Sequence, residues 1–216
     1  MRGENPCYIA IEGPIGVGKT SLAQRLADSL NGDLLLEQAE ENPFLERFYR
    51  EPRAGALPAQ LYFLFQRARQ MQELRQGDMF QPVRIADFLM DKDRLFARLT
   101  LDDDELALYE QVYGQLTLDF PTPDFVIYLQ APPDVLLKRI ARRGRACELH
   151  IDADYLRRLS EAYAHFFHYY DTSPLLIVNA AVVDLAGSDP VYQALLERVR
   201  NIRSGRHYFN PMPVSL

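Results

Sequence analysis

The chain has 216 residues, 48% of them hydrophobic, which suffices for one sizeable core, and no stretch reads as a linker or a repeat. Its formal charge of −6 argues against general binding to nucleic acid or to anionic membranes and points to a small substrate, any phosphate being held by a local basic cluster. Two cysteines, Cys7 and Cys147, argue against a disulfide framework; with no signal peptide or membrane-length apolar run, the expected protein is cytoplasmic, soluble and a single domain over 1–216, its 203–216 tail unassigned.

Residues 7–11 are a short apolar run suited to a buried parallel strand. Residues 13–20, GPIGVGKT, follow and match G-x-x-x-x-G-K-[ST] at every fixed position. Leu22, Ala23, Leu26, Ala27 and Leu30 then recur at helical spacing until Asn31 and Gly32 close the helix. Strand, glycine-rich turn and helix in this order make a P-loop. Its glycines let the backbone curl so that successive N–H groups point inward, and together with the helix N-terminus they form a concave anion site. Gly13, Pro14, Ile15, Gly16, Val17, Gly18, Lys19 and Thr20 are therefore expected to hold a nucleoside triphosphate, with Lys19 at the β- and γ-phosphates and Thr20 on a bound Mg²⁺.

Residues 33–37 form a second apolar run ending in Glu37, where the strands of an open α/β sheet present residues to the crevice. Position alone leaves two readings of Glu37, a functional acid or a solvated strand-end acid beside Glu40 and Glu41. A short helical stretch over 42–49 is punctuated by Pro52 and Gly55 before a longer helix, about 56–76, closes at Gly77. Leu57, Leu61, Leu64, Ala68 and Met71 make its core stripe, and beside it Gln60, Phe63 and Arg67 share one face. An amide, a ring and a guanidinium so aligned suit a heterocyclic base; the polar edge of an amphipathic helix has the same pattern. Residues 82–87 read as a third strand ending in Asp87, where P-loop enzymes hold a metal-linked carboxylate. Asp91, Lys92, Asp93 and Arg94 are expected to be mostly solvated, and the acidic run 102–105 suits a helix N-terminus.

Residues 125–129 are the clearest later strand, and Pro133 opens a helix that runs into a basic loop. Arg139, Arg142, Arg143 and Arg145, around Gly144, place four guanidiniums within seven residues of an acidic protein, which favours a phosphate-clamping lid over a solvated run. Residues 155–170 form an aromatic-rich helix in which His165 and His168 lack an evident third metal ligand. Residues 175–178 are a fifth strand, and Ser188 caps a last helix. Five strands alternating with helices predict an open parallel sheet with helices on both faces and the phosphate site at its carboxyl edge.

Taken together, IAIEGPIGVGKT, Glu37, the ENPFLE segment, Tyr49, Gln60, Arg67, Asp87 and YLQAPPDVLLKRIARRGRACE resemble the deoxynucleoside kinases from about residue 7 to 202, most closely the bacterial deoxyguanosine and deoxyadenosine kinases. The resemblance implies ATP and Mg²⁺ as cofactors, a deoxynucleoside acceptor and a homodimer through helices, for which Tyr109, Tyr113, Phe166 and Phe167 are candidates. It makes Glu37 the base near the 5′-hydroxyl, although Gln38-Ala39 replaces the family's usual Pro-Val. Gln60 and Arg67 become base readers with Phe63 between them, and Tyr49 and Glu148 the pair for the 3′-hydroxyl. Arg143 and Arg145 become lid arginines on the transferring phosphate, with Arg139 and Arg143 at ATP, while Thr20, Glu37 and Asp87 face the metal.

One departure stands out: the family commonly has Asp/Glu-Arg-Ser after strand three, where this chain has Asp87-Phe88-Leu89, so the acid is present and the arginine is not. Purine deoxynucleosides are expected as substrates, with deoxycytidine next. Two alternatives are a thymidylate-kinase-type monophosphate kinase and a catalytically silent nucleotide-binding subunit; the first needs a second phosphate site, and the intact Lys19, Thr20, Glu37 and Arg145 weigh against the second.

Overall fold

β1 (Tyr8–Glu12) is buried along its whole length, and the rest of the fold is placed relative to it. The computed structural model describes residues 8–75, 83–116, 120–148, 150–181 and 189–211. After β1 come α1 (Lys19–Leu30), β2 (Asp33–Leu35), α2 (Leu45–Arg50), α3 (Pro52–Arg75), β3 (Arg84–Ala86), α4 (Lys92–Thr100) and α5 (Asp103–Leu116). The second half contains β4 (Phe125–Gln130), α6 (Pro133–Arg143), α7 (Ala153–Tyr169), β5 (Leu175–Asn179), α8 (Asp189–Asn201) and β6 (Arg206–Phe209). The strands make one all-parallel sheet in the order β2-β3-β1-β4-β5-β6, flanked by the helices.

This order explains where the cleft forms. β1 lies between β3 and β4, with Ala10 opposite both Ala86 and Val126, and the chain winds to one side of it through β2 and β3 and to the other from β4 onward. Reversal of winding leaves a crevice at the carboxyl end of β1, where the P-loop emerges. The central strands are continuous apolar runs because helices cover them, and α1 secures the phosphate end by burying Leu22, Ala23, Leu26 and Ala27. Each buried leucine there contributes about 1.5–3 kcal/mol.

The structure departs from the sequence expectations in several places. The sheet has six strands rather than five, because Arg206–Phe209, inside the unassigned tail, pairs with β5 from Leu175 opposite Arg206 to Val178 opposite Phe209. Arg-His-Tyr-Phe lacks the apolar run of a central strand, since an edge strand buries only part of its surface; Arg206 anchors it by donating to the carbonyls of His168 and Tyr170 at 2.9 and 3.0 Å. Helix α3 begins at Pro52, where a missing N–H costs nothing in the first turn, rather than near 56. Gly55 is inside that turn as a point of close approach: a Cβ there would stand 2.5 Å from the Phe48 nitrogen of α2. Cys7, Gly77, Pro82 and Ser188, each given a role from sequence, lie outside the described residues.

The aromatic helix packs inward. Phe167 stacks on Tyr128 at 4.1 Å and Tyr163 lies parallel to the same ring at 6.1 Å, whereas His165, His168 and Tyr169 lie on the exposed face. Tyr109 and Phe167 are buried within the single chain, while Tyr113 and Phe166 are partly covered against the same core.

Candidate active site

The P-loop is held in shape by its own backbone and by α6. Gly16 has φ 83°, and a Cβ on it would stand 2.8 Å from Ile140 Cγ1 and 3.1 Å from the Leu136 carbonyl, so both the left-handed backbone and the space demand glycine. The Val17 amide donates to the Pro14 carbonyl at 3.2 Å, and Lys19 Nζ donates to the Gly13 carbonyl at 2.7 Å. Burial pushes the Lys19 pKa down to about 8; Glu12 opposes the shift, and Lys92 adds to it. A buried ammonium in this state gains a partner when an anion enters.

A chain of contacts runs from the P-loop across the floor of the cleft. The Thr20 hydroxyl donates to Asp87 Oδ2, and Asp87 Oδ1 accepts from the Glu37 amide at 2.7 Å. Burial raises the Asp87 pKa, opposed by the Thr20 hydrogen bond and by Lys19. A hydroxyl in contact with a buried carboxylate is a hard-oxygen pair of the kind Mg²⁺ takes alongside substrate phosphates and water. The Glu37 carboxylate is gripped by two cations: Arg67 touches Oε1, and Lys92 Nζ stands 3.1 Å from Oε1 and 3.2 Å from Oε2. Both oxygens of Glu37, also expected to face the metal, are thus turned toward cations of the protein itself.

Half of the charged turn 91–94 departs from the sequence expectation: Asp91 and Arg94 are exposed, as expected, and the two residues between them are not. Lys92 and Asp93 are only 3% and 1% exposed, not solvated. They open α4 beneath the cleft, where Asp93 pairs with Arg67 and Lys92 with Glu37. Arg67, expected to offer its donors to a base, thus has both terminal nitrogens engaged by Glu37 and Asp93, and its guanidinium lies 4.9 Å over the Phe63 ring. Gln60 Nε2 lies 3.4 Å from the Thr100 hydroxyl, which itself donates to the Phe96 carbonyl at 2.7 Å, leaving the amide oxygen as the acceptor Gln60 has to offer.

Glu12 is the residue that sequence reasoning missed. It is wholly buried; Oε1 accepts from the Gly13 amide at 2.8 Å and the Tyr163 hydroxyl at 2.9 Å, and Oε2 from the Leu89 amide at 2.8 Å. A charged residue closing an otherwise apolar strand just before the first P-loop glycine was the available signal.

The basic loop expected to act as a lid lies at the end of α6. Gly144 stops the helix in the left-handed region at φ 69°, and a 3₁₀ turn at Ala146–Glu148 follows. Arg143 grips Glu148 with Nη2 at 2.6 and 2.7 Å and Nε at 3.1 Å, while Arg145 pairs with Glu40 at 2.6 Å. Tyr49 packs against Phe48 and, edge-on, against Tyr155; burial raises its hydroxyl pKa, with Tyr155 and Glu148 adding to the effect.

One cleft of about 320 Å³ is lined by Ile15, Gly16, Lys19, Thr20, Glu37, Tyr49, Gln60, Phe63, Arg67, Asp87, Arg143, Arg145 and Glu148, together with Lys92. Arg139, expected at ATP, lies outside its walls and binds the Val17 and Ala180 carbonyls at 3.3 and 2.7 Å, tying the P-loop to the end of β5. Arg142, expected in the lid, is exposed and outside the same walls.

A family model described as deoxynucleoside kinase matches residues 9–203. A deoxyguanosine kinase of Bacillus subtilis is 39% identical over 161 residues, covering 72% of this chain and 76% of that protein. A deoxyadenosine kinase of Dictyostelium discoideum is 33% identical over 168 residues, or 74% and 66% of the two chains. Among solved structures, deoxyadenosine kinase from M. mycoides with bound dATP superimposes with a TM-score of 0.76 at 26% identity, covering 88% of this chain and 99% of that one.

Proposed function

The chain belongs to the deoxynucleoside kinase family, and from that premise we propose that its cleft transfers the γ-phosphoryl of ATP to the 5′-hydroxyl of a purine deoxynucleoside. One observation carries the reading: contacts run without a break from Thr20 through Asp87 and Glu37 to Arg67, so the acid stands between a phosphate-binding end and the Gln60–Phe63–Arg67 face. An acceptor whose base lies on that face brings its sugar hydroxyl to Glu37 with the P-loop beyond.

Phosphoryl transfer requires mainly positioning and charge stabilisation, because the transition state spreads negative charge over the γ-phosphoryl oxygens. In this reading the P-loop amides and Lys19 hold the triphosphate, and Glu37 orients the 5′-hydroxyl and accepts its proton. Thr20 and Asp87 would hold Mg²⁺, which supplies charge neutralisation at the β- and γ-phosphates when bound. Tyr49 and Glu148 take the 3′-hydroxyl. Arg143 and Arg145, now on Glu148 and Glu40, exchange those carboxylates for the charge developing on the phosphoryl group and exclude water. Arg139 supports ATP through the P-loop backbone.

Substrate choice follows from what the base face offers. Gln60 presents an acceptor and Phe63 a ring, a pairing suited to the amino edge of adenine or the N–H edge of guanine. In a parallel assay of the four deoxynucleosides with ATP and Mg²⁺, deoxyadenosine and deoxyguanosine are expected to lead, with deoxycytidine next; thymidine as the best substrate would sink the purine assignment.

A homodimer and a cytoplasmic location belong to the same proposal. No helix among the described residues is long and apolar enough to cross a membrane. Light scattering at micromolar concentration is expected to give twice the 24.9 kDa of one chain, and a mass equal to one chain would dispose of the dimer.

A further inference from the structure

The position that follows Asp87 raises a question of charge. Phe88 and Leu89 are buried in the core, so neither brings a cation to the end of β3. A cation that does reach it is Lys92, five residues after Asp87 in the first turn of α4, whose ammonium lines the cleft at the Glu37 carboxylate.

Two features separate Lys92 from an ordinary buried counter-ion. First, its partners are unequal: Nζ is within 3.2 Å of both Glu37 oxygens but 3.7 Å from Glu12 Oε2. Glu12 does not need the lysine for hydrogen bonding, since Gly13, Leu89 and Tyr163 already donate to it. Glu12 is therefore a rigid negative backing, fixed on three sides, behind an ammonium whose close contact is directed at Glu37. Second, a buried ammonium costs several kcal/mol unless it is well paired, and a lysine is a compact point charge on a flexible stem that needs such backing to hold one geometry. A reactive group oriented by a second group that is itself held by a third is the arrangement by which side chains are prepared for proton transfer.

We propose that Lys92 is a positioning residue for phosphoryl transfer: backed by Glu12, it fixes the carboxylate of Glu37 at the acceptor end of the cleft. Arg67 holds the same carboxylate but is shared with Asp93 and joins Glu37 to the base face, so the two cations divide the work: Arg67 couples base to acid, and Lys92 couples acid to P-loop through Glu12 and Gly13. The proposal rests on Glu37 being the proton acceptor.

The test measures kcat and the deoxynucleoside KM, with saturating ATP and Mg²⁺, for Lys92→Met, Lys92→Arg, Glu37→Gln and the double variant Glu37→Gln/Lys92→Met. Lys92→Met is expected to lower kcat by roughly 30- to 100-fold with KM within about threefold, and Lys92→Arg to recover at least about tenfold of the loss. Because Lys92 acts through Glu37, adding Lys92→Met to Glu37→Gln is expected to cost no more than about a further threefold. Losses that multiply in the double variant, or a loss confined to KM, overturn the proposal. A Lys92→Met enzyme with kcat within about threefold of wild type also overturns it, while an inactive Glu37→Gln enzyme leaves the base assignment standing. Should Lys92→Met fail to fold, Glu12→Gln/Lys92→Met, which removes the opposed charges together, carries the same comparison.

Discussion

Lys19→Ala is expected to lower kcat by at least about a hundredfold, the range seen when one preorganised charge-stabilising donor is removed from a developing anion. Lys19 is the P-loop cation, kept on the Gly13 carbonyl at 2.7 Å and so aimed along the loop before any nucleotide arrives. Its loss is not expected to unfold the free protein, because burial opposes the charged form and holds the pKa near 8. With the folded-state pKa below the ordinary lysine value of 10.5, the unfolded chain binds more protons between about 8 and 10.5, so this group makes stability rise with pH across that window. Lys92, shifted the same way to about 8, adds to the slope. Thermal melts through that window are expected to show a shallower rise for Lys19→Ala than for wild type; an equal slope would mean that Lys19 is not the buried cation described. Turnover within tenfold of wild type would remove the lysine from the phosphoryl-transfer machinery.

Glu37→Gln is expected to lower kcat by at least about a hundredfold through loss of the proton acceptor, with the KM for deoxynucleoside near wild type. An amide still offers the hydroxyl one oxygen, which is why binding and turnover are expected to part. The structure adds a consequence that the sequence did not contain. Arg67 and Lys92 both lean on this carboxylate, so the amide leaves two buried cations short of charge. Removing one member of a buried pair costs about 3–5 kcal/mol when nothing else compensates. Here Asp93 remains on Arg67 and Glu12 near Lys92, so a smaller loss in urea denaturation is expected. Near-normal kcat in a folded Glu37→Gln enzyme would take Glu37 off the catalytic list.

The functional elements written in contiguous residues were the legible ones. GPIGVGKT, its preceding strand and its following helix are a local pattern whose chemistry depends on the backbone conformation of a few neighbours, and β1, the loop and α1 form where that pattern puts them. The basic loop at the end of α6 was likewise local, although only the structure shows that Arg139 faces backbone carbonyls and Arg142 solvent while Arg143 and Arg145 enter the cleft. The stripe of Gln60, Phe63 and Arg67 was readable as a shared helical face, but not as a choice between base reader and polar edge. Helical spacing says which residues stand together and nothing about what stands opposite them.

By itself, then, the sequence determined the parallel α/β class, the P-loop and the family resemblance, each because a short-range period or motif imposes it, and it put Glu37 on a strand that in fact ends two residues earlier, at Leu35. Tertiary structure alone decided the rest. Lys92 meets Glu37 across 55 residues, the Leu89 amide meets Glu12 across 77, and Arg67 meets Glu37 across 30. A run such as Asp91-Lys92-Asp93-Arg94 reads as solvated because an isolated charge belongs in water, and Asp91 and Arg94 are exposed; Lys92 and Asp93 can be buried only because the fold brings opposite charges to them from distant segments. Strand β6 follows the same physics: Arg206-His207-Tyr208-Phe209, without an apolar run, extends and pairs because β5 presents an open edge and His168 and Tyr170 present carbonyls to Arg206.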